Sequence, residues 1–192
     1  MKQSIERLPP FDTESRCINA IVETPIGSQV KYAYDFESGL ITVSKVLPAG
    51  MLYPFNFGFI PQTKAADGDP LDVLILNEQP LFPGCLVHVR AIAVVKAEQT
   101  ERSKWVRNDR IVVEALGKER PVQEKPLEME KRTVSQIAFF FSSYNSMFGK
   151  RFRVIGTGGP AKALELIRRA AKVHGGEPGV GPRAQPPWAK LG

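Results

Sequence analysis

Apolar and polar positions follow strand-like patterns through most of the chain, then shift to helical spacing near its end. Residues 1–15 are polar around Pro9-Pro10 and read as an arm or a short helix. Residues 17–23 (CINAIVE) predict a strand, broken by Pro25, Gly27 and Ser28. Residues 30–47 predict a hairpin, two β-rich runs around Glu37-Ser38-Gly39. Residues 51–61 (MLYPFNFGFIP) are aromatic but interrupted by Gly and Pro, and read as irregular strand or loop. Residues 71–77 (LDVLILN) predict a buried strand closed by a Pro/Gly turn at 79–84. Two more strands are predicted at 85–97 and 110–116, joined by a charged connection over 98–109. From residue 128 the period changes. Ile137, Phe141, Tyr144 and Phe148 recur at helical spacing, and Gly149 ends the run. A short strand follows at 151–155. Pro160 then opens a second helix, with Gly175 past its end. Many strands first and two helices last give an α+β class.

The 192 residues suffice for one domain with a real core. The reading places that domain at 1–175 and a Gly/Pro-rich, disordered tail at 176–192. At 43% hydrophobic and 24% charged, the composition is that of a globular protein. No run approaches the ~18 apolar residues of a membrane span. The N-terminus lacks the apolar core of a secretory signal. Cys17 and Cys85 are far apart, which fits a reduced, cytoplasmic protein. His88 and His174 are too few and scattered for a zinc site. Gly156 to Ala161 fits a dinucleotide-type glycine pattern, but no second parallel strand follows, so it reads as a helix-initiating turn. The net charge of +6 is not gathered into a dense basic block, and Lys104-Trp105-Val106-Arg107 is a weak nucleic-acid signal. No nucleic-acid or membrane partner is expected.

The chemistry concentrates in residues 67–72, DGDPLD. Asp67, Asp69 and Asp72 lie close together and lead into an apolar strand. Turn chemistry accounts for Asp67-Gly68 but not for Asp72 inside the strand. An EF-hand loop is excluded, because Asp72 stands where that loop needs glycine. The third reading is a hard divalent-cation site. Carboxylates on a strand edge converge on one point, and a bound cation offsets their repulsion.

DGDPLDVL also resembles the signature of the soluble family I inorganic pyrophosphatases, D-x-D-P-x-D-V. The likeness extends through residues 21–25 (IVETP), Lys31-Tyr32, Asp35, residues 37–39 (ESG), residues 51–60 (MLYPFNFGFI), Pro83-Gly84 and residues 136–144 (QIAFFFSSY). It covers roughly 17–173 in family order. It implies an OB-like five-stranded β-barrel with two main C-terminal helices, Mg²⁺ as cofactor, inorganic pyrophosphate as substrate, and a homo-oligomer, often a hexamer in bacterial members.

By that resemblance Asp67 and Asp72 ligate metal, Glu23 reaches metal through water, and Asp69 orients and deprotonates the attacking water. Lys31, Lys45, Tyr53 and Tyr144 line the substrate site. Several positions depart from the family. Ala33 replaces a glutamate, Lys45 an arginine, Phe57 a tyrosine and Asn145 a lysine. In the 98–109 loop Asn108 stands where a metal-binding aspartate is expected, with Asp109 beside it, and Arg110 stands for a lysine. Glu98 or Glu101 are the available acids for the other aspartate of that loop. The departures leave two expectations open. One is Mg²⁺-dependent hydrolysis of pyrophosphate. The other is a degenerate relative that binds phosphate or metal, has a structural role, or acts on another phosphate compound.

Overall fold

The computed structural model describes residues 5–15, 17–66, 68–116 and 129–174, the side chains of 173 and 174 excepted. Asp67 and the tail at 176–192 lie outside the described residues. After a short helical turn at Ile5–Arg7 come β1 (Ile18–Thr24), β2 (Val30–Asp35), β3 (Leu40–Val46), β4 (Asn56–Ile60), β5 (Leu71–Leu76), β6 (Leu86–Glu101), β7 (Lys104–Arg107) and β8 (Arg110–Ala115). Then follow α1 (Lys131–Met147), β9 (Phe152–Gly158) and α2 (Pro160–His174).

Five strands form a ring in the order β1-β4-β5-β8-β6, closed by pairing of β6 back onto β1. This is the expected α+β barrel with two helices. Within the ring β5 and β8 run parallel and the other pairs antiparallel. Strand alternation then separates two apolar clusters. Val22, Ile60, Leu71, Val73, Ile75, Ile111 and Val113 point one way, onto Ala163, Ile167 and Ala170 of α2. Phe57, Leu74, Val112 and Val95 point the other way, onto Ile137, Phe140, Phe141 and Tyr144 of α1. The two helices therefore cover opposite faces of the same strands.

Two segments differ from the pattern-based expectation. Residues 56–60 form a fully buried strand rather than an irregular stretch. Gly58 is the reason a strand fits there. A Cβ on it would sit 2.0 Å from the Ile21 carbonyl oxygen, so only glycine lets β4 close on β1. The charged 98–109 connection is largely strand: β6 continues to Glu101 and turns back into β7 through Arg102 and Ser103. Both turn residues have positive φ, 47° and 67°, the backbone that suits a two-residue hairpin. Neither is the Gly or Asn that usually marks such a turn. The glycine-rich run at 156–159 ends β9, which is antiparallel to β6, so no dinucleotide-type unit exists there.

Candidate active site

The parallel β5–β8 ladder builds the centre of the site. Val73 pairs with Ile111, so the preceding residues, Asp72 and Arg110, meet at the same end of neighbouring strands. Arg110 Nη1 lies 2.7 Å from Asp72 Oδ2 and also donates to Asn108 Oδ1. The guanidinium is buried, 5.0 Å from the Phe141 ring centroid and 5.9 Å from that of Phe57. Planar stacking and fork geometry suit Arg better than Lys for such a position. Its Nε has no hydrogen-bond partner among the described residues.

Two lysines approach from the β2–β3 hairpin. Lys31 and Lys45 face each other across the ladder. The Lys31 ammonium lies 5.6 Å from the Phe57 ring and 5.9 Å from Tyr144. Lys45 lies 5.5 Å from Tyr144 and 4.0 Å from Phe148. The hairpin is held to the barrel by Thr24, whose hydroxyl donates to the Tyr32 carbonyl and accepts the Tyr32 N–H, both at 3.0 Å. Three cations thus gather around an aromatic floor of Phe57, Tyr53 and Tyr144. The Tyr53 ring packs 5.0 Å from Phe140 and 6.3 Å from Tyr144. Burial, and then the adjoining Tyr144 phenol, push the Tyr53 hydroxyl well above its ordinary range, so it remains a protonated donor. The buried Tyr144 hydroxyl has no partner among the described residues.

The remaining predicted residues are placed as follows. Glu23 sits at the β1 bulge, buried, with Oε1 accepting the Tyr34 N–H at 2.7 Å. Asp69 lies in the loop before β5, where its carbonyl accepts the Ala65 N–H. Asn108 turns its amide oxygen toward the Asp72–Arg110 pair. Asp109 instead accepts the Ala97 N–H at 3.1 Å and pairs with Arg107 at 2.6 Å. Glu98 and Glu101 pair with Arg153 and Lys150 along the outer arm of β6. Asn145 is buried, its amide donating to the Phe141 carbonyl one turn back, which keeps it out of the pocket. The sequence reading named Arg110 only as a substitute for a lysine. Its pairing with Asp72 depends on strand order, which local pattern does not reveal.

A family model for inorganic pyrophosphatase matches residues 20–174. The chain belongs to the inorganic pyrophosphatase family. It is 36% identical over 176 residues to the inorganic pyrophosphatase of Sulfolobus acidocaldarius, covering 89% of this chain and 99% of the relative. It is 32% identical over 155 residues to that of Geobacillus stearothermophilus, covering 80% and 92%. The crystal structure of the inorganic pyrophosphatase from Thermus thermophilus superposes with a TM-score of 0.78 at 30% identity, covering 91% of this chain and all of that one. The Helicobacter pylori pyrophosphatase superposes at 0.75 and 27% identity, covering 86% and 98%. The barrel, its helices and the order of the motifs are thus those of a pyrophosphatase.

Members of this family use divalent metal, and the donor chemistry fits a hard cation. Asp69 and Asp72 offer carboxylate oxygens. No group of three or more His, Cys, Asp or Glu side chains gathers among the described residues. Protein donors already engage Glu23 Oε1 and Asn108 Oδ1.

Proposed function

We propose that this chain hydrolyses inorganic pyrophosphate to two phosphates with Mg²⁺ as its metal. The observation that carries the reading is the gathering of Lys31 and Lys45 on the aromatic floor that Arg110, the partner of Asp72, also reaches, in a pyrophosphatase barrel. Pyrophosphate is a compact polyanion, and hydrolysis requires its charge to be offset, a water activated and the departing phosphate stabilised. Mg²⁺ bound by Asp67, Asp72 and the Asn108 carbonyl, with Glu23 acting through water, would supply Lewis acidity and lower the pKa of water. Lys31, Lys45 and the Tyr53 and Tyr144 hydroxyls would hold the phosphate oxygens. The Asp69 carboxylate would take the proton of the attacking water as its oxygen bonds to phosphorus. The bridging P–O bond then breaks, and its electron pair leaves with the second phosphate.

One observation favours a second reading, binding with weakened turnover: Arg110 already engages both Asp72 and Asn108. Phosphate release from pyrophosphate, with and without Mg²⁺, separates the two. Metal-dependent release that is lost in Asp69→Asn, with the variant still folded by circular dichroism, supports hydrolysis. A folded wild type without turnover, or full activity in Asp69→Asn, overturns it.

The same reading makes the protein a homo-oligomer of the reducing cytoplasm. Support comes from apolar side chains left exposed on β3 (Leu40, Val43, Val46) and on α1 (Phe139), and from Cys17 and Cys85, both unpaired. No described helix is long and apolar enough to cross a membrane.

A further inference from the structure

The Asp72–Arg110 pair also borders a cavity that extends to α2, away from the lysine and tyrosine pocket. It encloses about 540 Å³, within the range of small-molecule sites. Asp72, Asn108 and Arg110 form one wall. The loop before β5 and the α2 helix form the others, and Lys31, Lys45, Tyr53 and Tyr144 do not take part. The walls are built, not accidental. The Lys64 N–H donates to the Ala170 carbonyl at 3.1 Å, tying the loop to α2. Gly158 has no side chain to hold α2 off the barrel. A Cβ there would meet Val94 at 3.0 Å and Lys162 at 3.1 Å. Lys162 and Arg169, seven residues apart on one helix face, are thereby brought to the same cavity as Lys96 of β6.

Among the described residues six cations line this cavity (Lys64, Lys96, Arg107, Arg110, Lys162 and Arg169) against two carboxylates, Asp72 and Asp109. Three cations have protein counter-charges: Arg110 has Asp72, Arg107 has Asp109 and Lys162 has Glu165. Among the described residues the side chains of Lys64, Lys96 and Arg169 carry no ion pair or hydrogen bond. Lys96 and Arg169 both act on the exposed Glu165 carboxyl, which Lys162 in the first place holds below its ordinary range. Unpaired like charges around one concavity repel each other and attract polyanions.

We infer that this cavity is an anion subsite for the further phosphates of a chain longer than pyrophosphate, either a free inorganic polyphosphate or the phosphate chain of a nucleotide. It rests on the pyrophosphatase reading only for where the chain's reacting end lies. Arg110 is common to both regions, since it lines the cavity and shares the Phe57 ring with Lys31. The cavity adds charge beyond that point.

The test is calorimetric titration of the full-length protein, without divalent metal, with tripolyphosphate, pyrophosphate and ATP. The wild type is compared with a Lys96→Gln/Arg169→Gln double variant. Tripolyphosphate is expected to bind the wild type about tenfold or more tighter than pyrophosphate, and the double variant to lose that advantage. Its Mg²⁺-dependent release of phosphate from pyrophosphate should stay as in wild type. ATP sharing the Lys96/Arg169-dependent advantage assigns the subsite to nucleotide phosphates. ATP lacking it, while tripolyphosphate keeps it, assigns the subsite to free polyphosphate. Equal affinities for tripolyphosphate and pyrophosphate, or an advantage that survives the double substitution, overturn the inference. Loss of pyrophosphate turnover in wild type strikes the hydrolytic reading alone, because this readout is binding.

Discussion

Arg110 concentrates the chemistry of the site in one side chain. Its guanidinium supplies a fixed positive charge to Asp72 and a donor to Asn108, on a floor of Phe57 and Phe141. Arg110→Met keeps the apolar stem on those rings but removes the charge. Asp72 is only 23% exposed, so losing its partner should destabilise the fold by about 2–3 kcal/mol, read from the urea midpoint. The same variant frees Asp72 Oδ2 and the Asn108 amide oxygen. Mg²⁺ affinity measured by calorimetry should then rise about tenfold, or about 1.4 kcal/mol. Unchanged affinity would mean that the arginine does not compete for these oxygens. Asp72, Lys31 and Tyr144 could be named from motif order alone. The part played by Arg110 could not, because a guanidinium two residues after an asparagine reads equally well as a solvated strand end.

At the scale of elements, β4 shows how a single residue type sets a strand's place. Its sequence, NFGFI, looks interrupted, yet the glycine is what permits a central strand. Gly58→Ala drives a methyl toward the Ile21 carbonyl, 2.0 Å away in the present backbone. The β1–β4 pair must then separate, costing about 2–3 kcal/mol in urea unfolding. A midpoint equal to wild type would show that the pair has slack. The Phe57 ring would shift with the strand, so the floor beneath Lys31 depends on the same glycine. Helix α1 was legible from its 3.6-residue period, as was its inward face of Ile137, Phe141 and Tyr144. The β6–β7 arm was not, because charged side chains on its solvent face hide the alternation and its turn lacks Asn and Gly. That arm matters to the site, since it carries Asn108 and Asp109 back to the start of β8.

On the scale of the whole molecule, the barrel separates two functions of one sheet. One face packs α2 and carries the basic cavity; the other packs α1 and carries the lysine and tyrosine pocket. Exposed Val43 and Phe139 are the positions where assembly should be tested. A Val43→Lys/Phe139→Lys double variant should elute as a smaller species than wild type, with mass read by light scattering. An unchanged mass would place any interface elsewhere. By itself the sequence determined the strand-then-helix order, the inward face of α1, the aspartate cluster and the family. These depend on neighbours within a few residues, or on motif order along the chain. Only the tertiary structure decided which cation stands against Asp72, which of Asn108 and Asp109 turns toward it, and that Lys64, Lys96 and Arg169 share one cavity. Those juxtapositions come from the parallel β5–β8 ladder and from the docking of α2 on β6. Such long-range pairings join residues tens of positions apart, and no local period encodes them.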